Sequence, residues 1–287
     1  MDLLEWHVKR QGILLISILL GAVTGVILAL TGAGGTIIAV PLLMFGLHLV
    51  VAEAAPIALF AVCLSSAIGA LIAHRQGKVR YRAAGFIAIT GVVTAPIGIW
   101  LAQKLPNAPL TFLFALVLFY AAISMLRQSK MQDDPVKNIT DFQSDSASIP
   151  CQLAYEQGRL VWTWPCARAL AFSGIATGFL SGLLGVGGGF VVVPALRKAT
   201  NLSMQSILAT SLAVIALISA VGVVSATFIG GMNWTIALPF AAGALAGMLI
   251  GRIFSHFLAG PKLQQGFAVV SMGVSVWMII RLFWIDG

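Results

Sequence analysis

Charge is what this chain of 287 residues has least of: Asp, Glu, Lys and Arg make up 9% of it, and 59% is hydrophobic, with a mean hydropathy of +0.99. Soluble domains carry roughly a quarter charged residues. A soluble fold this poor in charge could not cover its own surface, so the solvent is lipid. Cysteine is also scarce. Of the three, Cys63 lies in an apolar run and reads as a small packing residue. Cys151 and Cys166 flank a polar stretch without any CxxC or Cys/His pattern. No metal site is expected from them, and a disulfide between them would require an oxidising side. Paired carboxylates, HExxH, a Ser/His/Asp order and a nucleophile elbow are all missing, so neither an enzyme nor a cofactor is expected. The net charge of +8 comes without a basic stripe interleaved with aromatics, which excludes nucleic acid as a partner. Here Lys and Arg mark cytoplasmic loops instead.

What is present is long apolar sequence. A bilayer span needs about 20 mostly apolar residues. Runs over 12–30, 54–73, 83–102, 109–126, 169–184, 207–229, 236–253 and 266–280 meet or approach that length, while 36–51 and 190–196 are apolar but short. The first run leads into Thr31-Gly-Ala-Gly-Gly and further apolar sequence, so it reads as a retained helix and not a cleaved leader. The longest polar stretch, 127–168, reads as a linker. Its second half alternates around Glu156-Gln-Gly158 in the manner of a small β-hairpin.

Shifting the sequence by 153 residues aligns the halves without a gap. Gly21 falls on Gly174, Thr24 on Thr177, Gly32 on Gly185, Gly34-Gly35 on Gly187-Gly188, Pro41 on Pro194, Ser66 on Ser219 and Gly98 on Gly251. Gap-free matches at Gly and Pro point to duplication. The expected plan is an all-α membrane protein. A first transmembrane repeat covers 11–127, a polar cytoplasmic linker 128–168 and a second repeat 169–284. Each repeat has a long helix, a Gly-rich break, a short Pro-containing segment and three ordinary spans.

If each short segment crosses, there are about ten membrane segments and the repeats are inverted. If each only re-enters, there are eight spans and the repeats are parallel. Lys and Arg divide 13 inside to 4 outside in the first scheme and 12 to 5 in the second. The loops decide more. Arg75, Lys78, Arg80 and Arg82 face an uncharged partner loop at 227–235. Arg197-Lys198 matches neutral Met44-Phe45, and Arg252 with Lys262 matches Lys104 alone. These biases swap sides, as inversion requires.

Gly21xxxGly25, Gly174xxxGly178xxxGly182 and Gly243xxxGly247xxxGly251 read as helix contacts. The chemistry is expected at the two breaks, Thr31-Gly-Ala-Gly-Gly-Thr36 up to Pro41 and Leu184-Gly-Val-Gly-Gly-Gly189-Phe190 up to Pro194. Glycine clusters free backbone from the helix ladder, which is tolerated at membrane depth only when buried in protein or lining a cavity. The next helix then starts with free N–H groups and a positive dipole end, an anion site without a charged side chain. No Lys-Ser/Thr follows either cluster, which excludes a phosphate loop. The candidate substrate-binding residues are Gly32, Gly34, Gly35, Thr36, Gly185, Gly187, Gly188, Gly189 and Phe190. Thr210 and Ser211 join them if their hydroxyls do not bond back to their own helix, and Pro41 and Pro194 are the candidate hinges. Glu53, His48 and His74 sit near span ends and read as interfacial.

The segment Gly182-Leu-Leu-Gly-Val-Gly-Gly-Gly-Phe-Val-Val-Val-Pro194, with Ala209-Thr-Ser-Leu212 downstream, resembles the sulfite exporter TauE/SafE family of membrane transporters. The first copy departs from it at Thr36 and at Ala55-Pro-Ile-Ala58. The resemblance implies a multi-pass protein of the bacterial inner membrane. Such a protein moves sulfur-containing anions such as sulfite or organosulfonates by secondary transport, and a homo-oligomer is compatible with it. The alternatives are an anion channel with the same filter and a non-transporting assembly or sensor protein.

Overall fold

A computed structural model of the chain describes residues 3–31, 36–77, 81–133, 151, 153–154, 159–160, 164–200, 204–258 and 261–285. Among the described residues ten helices run in chain order: α1 (Leu3–Thr31), α2 (Ala39–Leu47), α3 (Val51–Arg75), α4 (Tyr81–Lys104), α5 (Asn107–Asp133), α6 (Trp164–Leu184), α7 (Gly189–Ala199), α8 (Met204–Phe228), α9 (Trp234–Leu258) and α10 (Pro261–Ile285). Eight are long and apolar enough to cross a membrane; α2 and α7 are the short ones. The outward faces carry Leu19, Ile89, Phe172 and Ile253, large apolar side chains that only lipid would solvate.

Two helix ends follow from glycine. After α3 the chain turns at Gly77 and after α8 at Gly230, with φ of +66° and +78°, and each N–H reaches back to its helix at His74 O and Thr227 O. Only glycine enters that left-handed region without strain. Helix α5 continues past Arg127 to Asp133, further than its apolar run, because nothing from 127 to 133 breaks a helix once it has left the hydrocarbon. In the polar stretch Leu153–Ala154 pairs antiparallel with Arg159–Leu160, the expected hairpin, while residues 134–150 and its turn lie outside the described residues. Cys151 and Cys166 form a disulfide, and Cys151 N donates to Ala199 O at the end of α7.

Four helix pairs hold the bundle. Helices α1 and α9 run side by side in the same direction. A methyl added to Gly25 would sit against the Ala244 carbonyl, and one added to Gly247 against the Ala22 carbonyl. Helices α4 and α6 do the same, Gly174 meeting Ile87 and Thr90, Gly178 meeting Gly91, and Gly182 meeting Ala95. These stripes are backbone-to-backbone contacts, which bring many atoms within dispersion range where lipid supplies no hydrophobic drive. The third pair, α3 and α8, runs in opposite directions. Gly222 lies beside Leu59, Cys63 Sγ is 3.7 Å from Ala216 O, and Gly69 lies beside Leu212. The fourth, α5 and α10, is pinned by Ser275 Oγ donating to Ala115 O at 2.7 Å. Ile37, Ala39 and Val40 at the start of α2 share one buried cluster with Leu184, Val186 and Phe190 around the second break.

Candidate functional site

The second break is built from three glycines in left-handed conformation: Gly185, Gly187 and Gly188, with φ of +72°, +70° and +72°. Gly185 N closes the last turn of α6 on Ser181 O at 2.9 Å. Gly188 caps α7 with its carbonyl, which accepts from Val191 N and Val192 N, and no side chain caps that end. The first-turn N–H groups of an α-helix have no partner within the helix. Those of Gly189 and Phe190 therefore face the break, as does the positive end of α7, whose other end carries Arg197 and Lys198.

Three helices close around this turn. Gly185 abuts the backbone of Ala55 on α3, and Gly188 abuts Thr177 on α6. A methyl on Gly187 would lie 2.8 Å from Val62 Cγ1 on α3, 3.2 Å from Ile215 Cγ2 and 3.6 Å from Ser219 Oγ on α8. Ser219 is fully buried and its hydroxyl has no hydrogen-bond partner. Ser65 on α3 and Ser181 on α6 are buried and unpartnered in the same way. An unpaired buried hydroxyl costs about 1–3 kcal/mol. A turn with backbone N–H groups and serine hydroxyls around it offers donors of the kind that an oxyanion uses.

The expected residues separate on this geometry. Gly185, Gly187, Gly188, Gly189 and Phe190 come together at the break. Gly32, Gly34 and Gly35 lie outside the described residues. Thr36 is buried in a single 3₁₀ turn leading into α2. Thr210 and Ser211 are buried one turn and more before Ile215, but their hydroxyls donate to Ser206 O at 2.6 Å and Ile207 O at 2.8 Å, as helix hydroxyls readily do. The prolines end no helix. Pro41 lies in the first turn of α2, where its missing N–H costs nothing, and α7 continues through Pro194. The interruption itself is the work of the three left-handed glycines. Ser219 stands out in the sequence, with Thr210 and Ser211, as a polar residue of its span, whereas Ser181 carries no such signal; being left unpaired is a property of their surroundings.

A helical membrane bundle with a glycine-broken helix buried between crossing spans defines the class of polytopic membrane transporters. Within that class, the family described as Sulfite exporter TauE/SafE matches residues 17–278, and the chain belongs to it. A "Probable membrane transporter protein" of Xylella fastidiosa strain Temecula1 is 29% identical over 272 residues, covering 93% of this chain and 95% of the relative. "Probable membrane transporter protein YunE" of Bacillus subtilis is 27% identical over 273 residues, covering 92% and 94%. A similarly named protein of Methanocaldococcus jannaschii is 27% identical over 214 residues, covering 72% and 70%. No solved structure matches the chain. The protein is a multi-pass membrane protein of the bacterial inner-membrane type.

Proposed function

We propose that the protein is a secondary transporter of small sulfur-containing oxyanions, such as sulfite or organosulfonates, and that it binds them at the second break. The observation that carries this is the unpartnered Ser219 hydroxyl beside Gly187, next to the uncapped N-terminus of α7. The family's description supplies the sulfur chemistry. By the 153-residue offset alone, Gly32, Gly34, Gly35 and Thr36 are assigned to a matching half of the site. The test is flux of labelled sulfite and of methanesulfonate in proteoliposomes, with Ser219→Ala compared against Ser66→Ala. Ser66 already donates to Val62 O at 2.6 Å, so its loss changes little. Losing a hydrogen bond to a charged group costs about 1.5–3 kcal/mol, so Ser219→Ala should weaken anion binding tenfold or more while leaving the ligand-free fold as stable or slightly more so. Equal flux in the two variants would remove Ser219 from the site. Counterflow of labelled against unlabelled anion marks a carrier, and voltage-driven currents above carrier rates would mark a channel.

The two repeats, 11–127 and 169–284, are inverted in this reading. Support comes from the directions of the helix pairs. Helices α3 and α8 occupy equivalent places, offset by 153, yet run antiparallel, which ten crossings give and eight spans with re-entrant segments do not. The exchange of α1 with α9 and of α6 with α4 fits the same two-fold relation. The linker 128–168 then lies on the basic, cytoplasmic face. The Cys151–Cys166 disulfide argues against that face, because a disulfide persists in an oxidising compartment, so thiol labelling in intact cells decides: two free thiols support the cytoplasmic linker, and an intact disulfide overturns it. Ala216→Cys should cross-link to native Cys63 under mild oxidation, since Cys63 Sγ already lies 3.7 Å from Ala216 O. Failure of that cross-link in folded protein would undo the antiparallel pairing.

A further inference from the structure

A separate cavity of about 250 Å³ lies away from the break, between the end of α2, the start of α5 and the last turns of α10. Its polar lining is Arg281, His48 and Thr111; Met44, Met278 and Leu282 are among its apolar walls, and no acidic side chain among the described residues lines it. Three features set it apart. Arg281 is the next-to-last residue of the span at 264–282 and is exposed, so its always-charged guanidinium is open to an anion arriving from the interface. In the inverted arrangement this face carries only four of the chain's Lys and Arg residues, so the cytoplasmic bias that accounts for the others does not account for Arg281. His48 is held at φ +54° at the end of α2, the one described non-glycine residue in the left-handed region. That position ordinarily goes to Gly or Asn, and the left-handed cap turns the His48 side chain out beside the cavity that it lines.

We propose that this cavity is a second oxyanion site, taking a sulfonate or phosphate head on Arg281, His48 and Thr111 with a short apolar group against Met44, Met278 and Leu282. The same chemistry is carried by a free alkylsulfonate and by the phosphate of an anionic phospholipid. The probe is 3,3,3-trifluoropropanesulfonate, followed by ¹⁹F NMR on the full chain in phosphatidylcholine nanodiscs. Wild-type protein should show two bound populations. Arg281→Gln should remove one, weakening it at least tenfold, His48→Gln should weaken the same one, and Ser219→Ala should act only on the other. Retention of the Ser219-dependent population shows that the Arg281 variant is folded; if it is lost, Arg281→Lys, which keeps the charge, should restore part of the binding. Adding phosphatidylglycerol distinguishes the sources. Displacement of the Arg281-dependent population assigns the site to lipid phosphate, and no displacement assigns it to the free anion. A probe signal indifferent to Arg281→Gln, or the absence of any Arg281-dependent population, overturns the site. Loss of the Ser219 population alone would bear only on the central one.

Discussion

Gly188→Leu should abolish anion flux in proteoliposomes, by a hundredfold or more, while the protein still reaches the membrane. The backbone there has φ +72°, a region that costs an L-residue roughly 1–2 kcal/mol. A Cβ would press on the Thr177 methyl and lie 3.0 Å from the Thr177 carbonyl, so a leucine must displace the turn at the α7 N-terminus. That moves the N–H donors out of place. Insertion should survive, because the eight long helices are apolar enough to partition on their own and none of them contains Gly188. Gly187→Ala gives the graded comparison. Its methyl meets the side chains of Val62 and Ile215, which can shift, so flux should fall partially. The measurement is initial uptake rate normalised to inserted protein. Near wild-type flux in Gly188→Leu would place the substrate elsewhere.

The second large effect falls on stability. Gly178→Leu should lower the apparent Tm by at least 10 °C and destabilise by about 3 kcal/mol or more, as buried overpacking against an immovable partner does. A side chain there collides with the Gly91 carbonyl, the carbonyl carbon of Gly91 at 2.6 Å and the Thr94 hydroxyl. The Gly91 atoms are backbone of α4 and cannot give way, so the helices must separate, and the contacts of Gly174 and Gly182 along the same seam are lost with them. Gly273→Leu is the control: nothing lies within 4 Å of its added carbon, and it sits exposed on α10. Thermal unfolding of both in the same detergent separates seam packing from the general effect of a larger residue. If Gly178→Leu melts with wild type, the α4–α6 seam is not what holds the bundle.

Much of this architecture was legible in the residues. The apolar runs anticipated eight long helices and two short ones, since hydrocarbon thickness dictates how many apolar residues a crossing needs. The 153-residue offset anticipated that α3 and α8 would begin and end at equivalent positions, Val51 with Met204 and Arg75 with Phe228. The short-period glycine stripes anticipated close helix contacts, because only glycine permits carbonyls of one helix to meet the backbone of another.

What the residues did not reveal was pairing and satisfaction. Thr210 and Ser211 stood out as hydroxyls beside a resembling motif, yet each donates to its own helix, while Ser219 does not. Ser66 and Ser219 are equivalent in the two halves; one donates to Val62 and the other is left unpaired opposite Gly187. A hydroxyl's partner is chosen by rotation about one bond, and that rotation answers to neighbours from distant segments. The direction of α3 against α8, and the joining of α1 to α9 and of α4 to α6, likewise depend on which surfaces meet. By itself the sequence determined that the chain lies in lipid and is broken by glycine after α6, because hydropathy and backbone freedom are local properties. Only the tertiary structure decided which donors at the break stay unspent, because that depends on the packing of α3, α6 and α8 around Gly185, Gly187 and Gly188.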